Sequence, residues 1–268
     1  MKIQVNERQV HVEPGTRLHA VKTMFKPDAD IVIYNGALMR GDSPLVEGDQ
    51  VVLIHRGEQP GPEEMETLLV ARHTPGVHEK VKTAAVGIAG LGGLGSAVAI
   101  ALARVGVGRL VLADFDVVEP SNLNRQQYFV RQIGIPKVEA LVVNLHEIHP
   151  YVRLEAHNVR ITFDNAPEIF RDVDVLVEAF DAPDAKTELV NGFTRVFPDK
   201  PVVMASGLGG YGPGNTMRVH TLGRNLYVVG DMETAARPGT GLMAPRVGIA
   251  AHLQANTVLR LLLGETAE

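Results

Sequence analysis

Apolar residues in this chain fall into short, nearly unbroken runs separated by glycine-rich or polar turns. Residues 84–89 (Ala-Ala-Val-Gly-Ile-Ala), 109–113, 173–179 and 201–205 each carry such a run, and none alternates with polar residues. A run of that length, apolar on both faces, predicts a strand buried on both sides, as in a parallel sheet. Between the first two runs, Ser96 to Val105 reads as a helix of small residues. Pro245 to Leu263 reads as a final helix, with proline in its first turn and Gly264 just past its end. That last helix is apolar on more than one face, which predicts burial in the core or in a dimer interface.

The first sixty residues have a different grain. Ile3-Gln4-Val5 and Val10-His11-Val12 flank Asn6-Glu7-Arg8-Gln9 and predict a hairpin. A helix start at Pro14-Gly15-Thr16 runs to about Phe25, and residues 30–36 and 48–54 predict further strands. This order predicts a compact α+β unit over residues 1–57. Gly57 to Glu64 is rich in Gly, Pro and Glu, so a linker is expected at 58–67, with the second domain at 68–268.

The chemistry concentrates after the run at 84–89. Gly90, Gly92 and Gly95, with Gly93 between them, form a G-x-G-x-x-G turn between a strand and a helix. There, backbone N–H groups and a helix N-terminus can approach a phosphate. The next strand ends in Asp114, at the distance where an acidic side chain can hold a ribose. An intact nicotinamide cofactor can be held by such a turn alone. ATP attacked at phosphorus builds charge on its phosphate oxygens and calls for fixed cations. Arg125 and Lys137 supply them, beside Asn122, Asn124 and Gln126.

These residues carry a resemblance. Gly90-x-Gly92-Gly93-Leu94-Gly95-Ser96, Asp114-x-Asp116, Ser121-Asn122-Leu123-Asn124-Arg125-Gln126, Gly134-Ile135-Pro136-Lys137 and Glu178-Ala179-Phe180-Asp181 resemble the E1-type adenylyltransferases of the ThiF, MoeB and HesA kind. The resemblance implies a Rossmann-like, mostly parallel sheet with flanking helices. It implies that the glycine turn, Asp114 and Asp116 hold the phosphates and ribose of ATP. Asn122, Asn124, Arg125, Gln126 and Lys137 are then expected at the phosphates. Asp181 is expected at the magnesium-bound phosphates, and Arg72 at a nucleotide site, sometimes that of a partner subunit. Arg125, Lys137 and Asp181 are the expected catalytic residues. Where the family usually has Asn after that aspartate, this chain has Ala182.

Residues 1–57 resemble the ThiS-type β-grasp (ubiquitin-like) sulfur carriers, in the Asn35-Gly36 turn and in Glu47-Gly48-Asp49 leading into the last strand. The implied activity is adenylation of the C-terminal glycine of a ThiS-like carrier, in thiamine (thiazole) biosynthesis. A working carrier ends in a free Gly-Gly carboxylate, but here the chain continues through His55-Arg56-Gly57-Glu58. The expected substrate is therefore a separately encoded carrier, with the fused unit acting in docking, regulation or dimerisation. The implied assembly is a homodimer. An NAD(P)-dependent oxidoreductase, or a nucleotide-binding scaffold without turnover, are the alternative readings.

Composition narrows the chemistry further. The sequence has no cysteine, so no Cys-rich zinc site or thioester is expected and sulfur must come from an external donor. His146 and His149 lack the i,i+4 spacing of a helical zinc pair and are read as structural. A net charge of −5 without a basic stripe argues against nucleic acid as a partner. Neither an apolar leader nor a membrane-spanning run is present, so a cytoplasmic protein is expected.

Overall fold

A computed structural model describes residues 1–267. Its internal contacts divide the chain into two compact units, Met1–Pro75 and Gly76–Glu268.

The first unit is built from β1 (Lys2–Val5), β2 (Arg8–His11), α1 (Leu18–Phe25), β3 (Ile31–Tyr34), β4 (Ala37–Met39), β5 (Gln50–Ile54) and α2 (Pro62–Arg72). The sheet order is β2-β1-β5-β3-β4, with β1 and β5 parallel and the other pairs antiparallel. Asn6 and Glu7 both take positive φ between the paired residues Val5 and Arg8, the geometry of a two-residue hairpin turn. Leu18 and Val21 of α1 pack on Ile3, Val5, Val51 and Leu53.

Residues 62–67 lie in the segment expected as linker, yet they open α2. Pro62 sits at the first helical position, and Glu63 and Glu64 occupy the first turn, where they oppose the helix dipole. The helix belongs to this unit: Arg8 Nη2 donates to Thr67 Oγ1 (3.2 Å) and Arg72 pairs with Glu7 (2.8 Å). Lys26 meets Glu58 just ahead of it, at 2.7 Å.

The second unit runs through α3 (Val77–Val81), β6 (Ala85–Ala89), α4 (Gly93–Val105), β7 (Arg109–Asp114), α5 (Lys137–Ile148), β8 (Arg153–Asn158), α6 (Ala166–Ile169), β9 (Val175–Glu178), α7 (Pro183–Val196), β10 (Val202–Ala205), β11 (Arg218–Leu222), β12 (Leu226–Gly230) and α8 (Ala244–Leu263). Its seven strands are ordered β11-β12-β10-β9-β6-β7-β8, all parallel except β11.

Alternation along the central strands feeds two cores. Leu110 and Leu112 of β7, with Val175 and Val177 of β9, join one core with α4, α5 and α8. Val111 and Ala113, with Leu176, join the other with Phe170, Leu189 and Phe193 on the α6–α7 side. The runs unbroken by polar residues are therefore the strands covered on both faces. The final helix is buried in the first of these cores, through Val247, Ala250, Ala251, Gln254 and Val258.

Candidate functional site

The parallel strands β6, β7, β9 and β10 deliver their carboxyl ends to one edge of the sheet, where ligands sit in such folds. A cavity of about 570 Å³ opens there. Its lining includes Gly90, Gly92, Gly93, Asp114, Asp116, Arg125, Gln126, Lys137 and Asp181, residues that lie as much as 91 positions apart in the chain (181 − 90).

The glycine turn is shaped by close backbone approach. A Cβ on Gly95 would fall 1.8 Å from the Gly90 carbonyl oxygen, so Gly95 supports the turn from behind and does not line the cavity. Helix α4 then begins at Gly93, three residues earlier than the sequence suggests, and its first N–H groups face the turn. Asp114 is buried and anchors this turn. One carboxylate oxygen accepts the Leu91 N–H (2.6 Å) and the other accepts the Asp116 N–H (2.8 Å). Remaining lone pairs leave it able to accept a hydroxyl from the cavity. Beneath it, Tyr128 donates its hydroxyl to the Leu91 carbonyl (2.8 Å), and burial pushes that phenol far up, assisted by the charges of Asp114 and Asp116.

Lys137 opens α5 and is buried, with its ammonium 2.8 Å from Asp116 Oδ2. Arg125 donates to Asn124 Oδ1 (2.8 Å) and to the Ser121 carbonyl (3.3 Å), so Asn124 orients the guanidinium without lining the cavity. Asn122 also lies outside the lining. Its side-chain oxygen accepts the Glu119 N–H at 3.1 Å and closes the turn that carries Arg125. Gln126 does line it, and its Oε1 is buried without a protein partner. Asp181 is exposed on the turn between β9 and α7. Arg72 belongs to the first unit, where it meets Glu7.

Sequence reasoning missed Lys186 and Arg160, and gave no role to Glu178 although it opens the motif that ends at Asp181. Glu178 ends β9 with no exposure at all, and Lys186 reaches both of its oxygens at 2.9 Å and the Ala205 carbonyl at 3.0 Å. Burial pushes the Glu178 carboxyl up, while Lys186 and the Phe180 N–H pull against it. A carboxylate closing an otherwise apolar run was the available signal. Arg160 lines the cavity with its guanidinium 5.5 Å from the Phe115 ring centre. No sequence pattern ties that pair together.

The description "ThiF family" fits residues 66–268, and "ThiS-like ubiquitin" fits residues 1–57. The chain belongs to the ThiF family.

This ThiF-family chain is 40% identical over 130 residues to the "Adenylyltransferase and sulfurtransferase uba4" of Emericella nidulans, covering 48% of this chain and 27% of that protein. It therefore spans about a quarter of that relative's length. It is 32% identical over 192 residues to the "Molybdopterin-synthase adenylyltransferase" of Haemophilus influenzae, covering 69% of this chain and 77% of that one. Among solved structures, E. coli tRNA N6-threonylcarbamoyladenosine dehydratase, TcdA, in complex with AMP, aligns with a TM-score of 0.67 at 21% identity. That alignment covers 73% of this chain and 92% of that chain. At such identity the likeness is one of fold. Within this ThiF-family fold, no helix among the described residues is long and apolar enough to cross a membrane.

Proposed function

We propose that this ThiF-family chain is an ATP-dependent adenylyltransferase that activates the C-terminal glycine carboxylate of a separately encoded ThiS-like sulfur carrier. The observation that carries the reading is the meeting of the glycine turn with Arg125, Gln126, Lys137 and Asp181 in one cavity. A turn alone would serve any nucleotide. Two cations beside it, Arg125 and Lys137, suit a triphosphate that changes charge during reaction.

The carrier carboxylate is ionised at neutral pH and needs no general base. Its oxygen attacks the α-phosphorus, a C–O–P bond forms, and the α–β anhydride bond breaks with both electrons leaving on pyrophosphate. Arg125 and Lys137 oppose the charge that builds on the phosphate oxygens, and the N–H groups of the turn orient them. Asp181 fits as a protein ligand for Mg²⁺. The cavity offers hard carboxylate oxygens, those of Asp181 among them. That donor set suits an ion held chiefly by phosphates and water. When bound, Mg²⁺ would neutralise phosphate charge as a Lewis acid.

The same reading makes residues 1–57 a carrier-like module that is not itself the substrate, since the chain runs on from β5 into α2. It includes a homodimer in which Arg72 serves a nucleotide site, a cytoplasmic setting, and an external sulfur donor. The thiazole pathway rests on the ThiS-like match alone, and the Haemophilus influenzae relative is named for molybdopterin synthase.

The test is ATP–pyrophosphate exchange with Mg²⁺ and a panel of Gly-Gly-ended carriers, with Arg125→Ala as control. Carrier-dependent exchange that is lost in the variant supports the reading. ATP binding without exchange for any carrier would sink it in favour of a scaffold, and thermal protection by NAD(H) in place of ATP would favour an oxidoreductase.

A further inference from the structure

One wall of the cavity is made of two loops, residues 206–208 after β10 and residues 234–236 after β12. Neither loop has regular structure to hold it. They are held from behind by Arg246 in the first turn of α8, a residue only 4% exposed and outside the cavity lining.

Its guanidinium reaches two segments. Nη2 lies 2.5 Å from Asp231 Oδ2, and Nη1 donates to the carbonyls of Gly212 (2.8 Å) and Pro213 (3.1 Å). Asp231 in turn accepts the N–H groups of Glu233 and Thr234 at Oδ1, both at 2.9 Å, and the Thr234 hydroxyl at Oδ2, at 2.7 Å. Burial would raise the Asp231 carboxyl, but the Thr234 hydroxyl, these N–H groups and Arg246 bring it down to about 2.

The two loops also pack backbone on backbone. Gly209 N–H donates to the Thr234 carbonyl (2.9 Å) and Asp231 N–H to the Gly207 carbonyl (3.3 Å). Gly207 has φ +80°, and a Cβ there would fall 2.1 Å from Asp231 Oδ1. A buried ion pair adds little net stability against an apolar substitute, whereas its directional bonds specify geometry. Here the geometry specified is that of a cavity wall.

We infer that Arg246 and Asp231 are positioning residues that fix this glycine-rich wall so that the extended C-terminal glycine tail of the carrier can reach the nucleotide phosphates. The inference rests on the adenylyltransferase reading. It places the clasp on the carrier's side of the reaction and leaves ATP to the glycine turn and the cations across the cavity.

The test compares Arg246→Met, Arg246→Lys and Asp231→Asn in the full chain, measuring ATP affinity, the carrier KM and kcat of exchange, and hydrogen exchange of residues 206–214 and 231–236. Arg246→Met and Asp231→Asn should raise the carrier KM by roughly tenfold to a hundredfold while ATP affinity stays within about twofold, since small misplacements of a bound tail are costly. Hydrogen exchange should quicken in both loops together, and Arg246→Lys should recover part of the KM. Unchanged carrier KM with unchanged loop exchange would overturn the inference, as would an equal loss of ATP affinity. If Arg246→Met does not fold, Thr234→Val removes the hydroxyl's bonds to Asp231 and Arg246 and carries the same comparison. Absence of carrier-dependent exchange in the unmodified chain would overturn the adenylyltransferase reading and with it the guiding role. Loop hydrogen exchange in Arg246→Met would still report separately whether the clasp orders the wall.

Discussion

Lys137 holds its ammonium 2.8 Å from Asp116, and the lysine side chain is buried while the carboxylate stands half-exposed. The cation is fixed at the start of α5, where the Lys137 N–H also donates to the Asp116 carbonyl (2.9 Å). An incoming phosphate thus meets a positioned ammonium whose present partner faces solvent. Lys137→Met should lower ATP–pyrophosphate exchange by on the order of a hundredfold, the loss typical of one fixed donor to developing charge. Asp116→Asn keeps an acceptor for the ammonium and should cost much less, which exchange kinetics on both variants would decide.

Gly95 and Gly248 offer opposite outcomes for one added methyl. At Gly95 the Cβ would overlap the Gly90 carbonyl at 1.8 Å, so Gly95→Ala must displace the turn. It should destabilise the protein by about 1–3 kcal/mol or more and abolish thermal protection by ATP. Gly248 lies inside α8 with nothing within 4 Å of its Cβ position. Gly248→Ala should raise stability by up to about 1 kcal/mol and leave ATP protection intact. Thermal melts with and without ATP check both.

Glu178 and Lys186 should show strong coupling in chemical denaturation. Lys186→Met leaves a fully buried carboxylate without its cation and should cost about 3–5 kcal/mol. Adding Glu178→Gln should restore much of that loss, because the double variant buries no charge. Additive losses would show that the pair is not coupled.

His149 predicts an acid-side slope. Burial lowers its pKa, against its own backbone hydrogen bond, with His78 adding to the lowering. The unfolded chain then binds the proton more readily, so stability is full above the unfolded value of about 6.5 and falls as pH drops below it. His149→Gln should flatten the stability profile on the acid side of about pH 6.5. An unchanged slope in the variant would assign the acid sensitivity to another group.

Much of the candidate site was legible because its residues stand at the ends of apolar runs. Asp114 closes β7, Asp181 follows β9, and the glycine turn follows β6, so reading the strands placed the ligand edge. Three parts were not legible. β8 (Arg-Leu-Glu-Ala-His-Asn) is an edge strand whose polar positions interrupt its apolar ones, and β11 and β12 were not legible as a pair although Gly223, at positive φ, turns the chain between them. The family resemblance implies Asn122 and Asn124 at the phosphates, yet the tight turn gives their oxygens to Glu119 N–H and Arg125. Residues 62–67 read as linker from their composition, although Pro62, Glu63 and Glu64 were also a helix start.

The sequence by itself determined the four central strands β6, β7, β9 and β10 and the helices α4 and α8 of the second unit, the carboxyl edge as the candidate site, and the residue types gathered there. Those follow from hydrophobic burial and local backbone sterics, which act over a few residues at a time. Only the tertiary structure decided which polar groups face the cavity and which are consumed by neighbours. Arg246 finds Asp231 across fifteen residues (246 − 231), Gln254 donates to the Glu178 carbonyl across 76, and Lys186 meets Glu178 around a turn. A buried polar atom must be satisfied by whatever the fold brings within hydrogen-bonding reach, and that partner is set by packing in three dimensions.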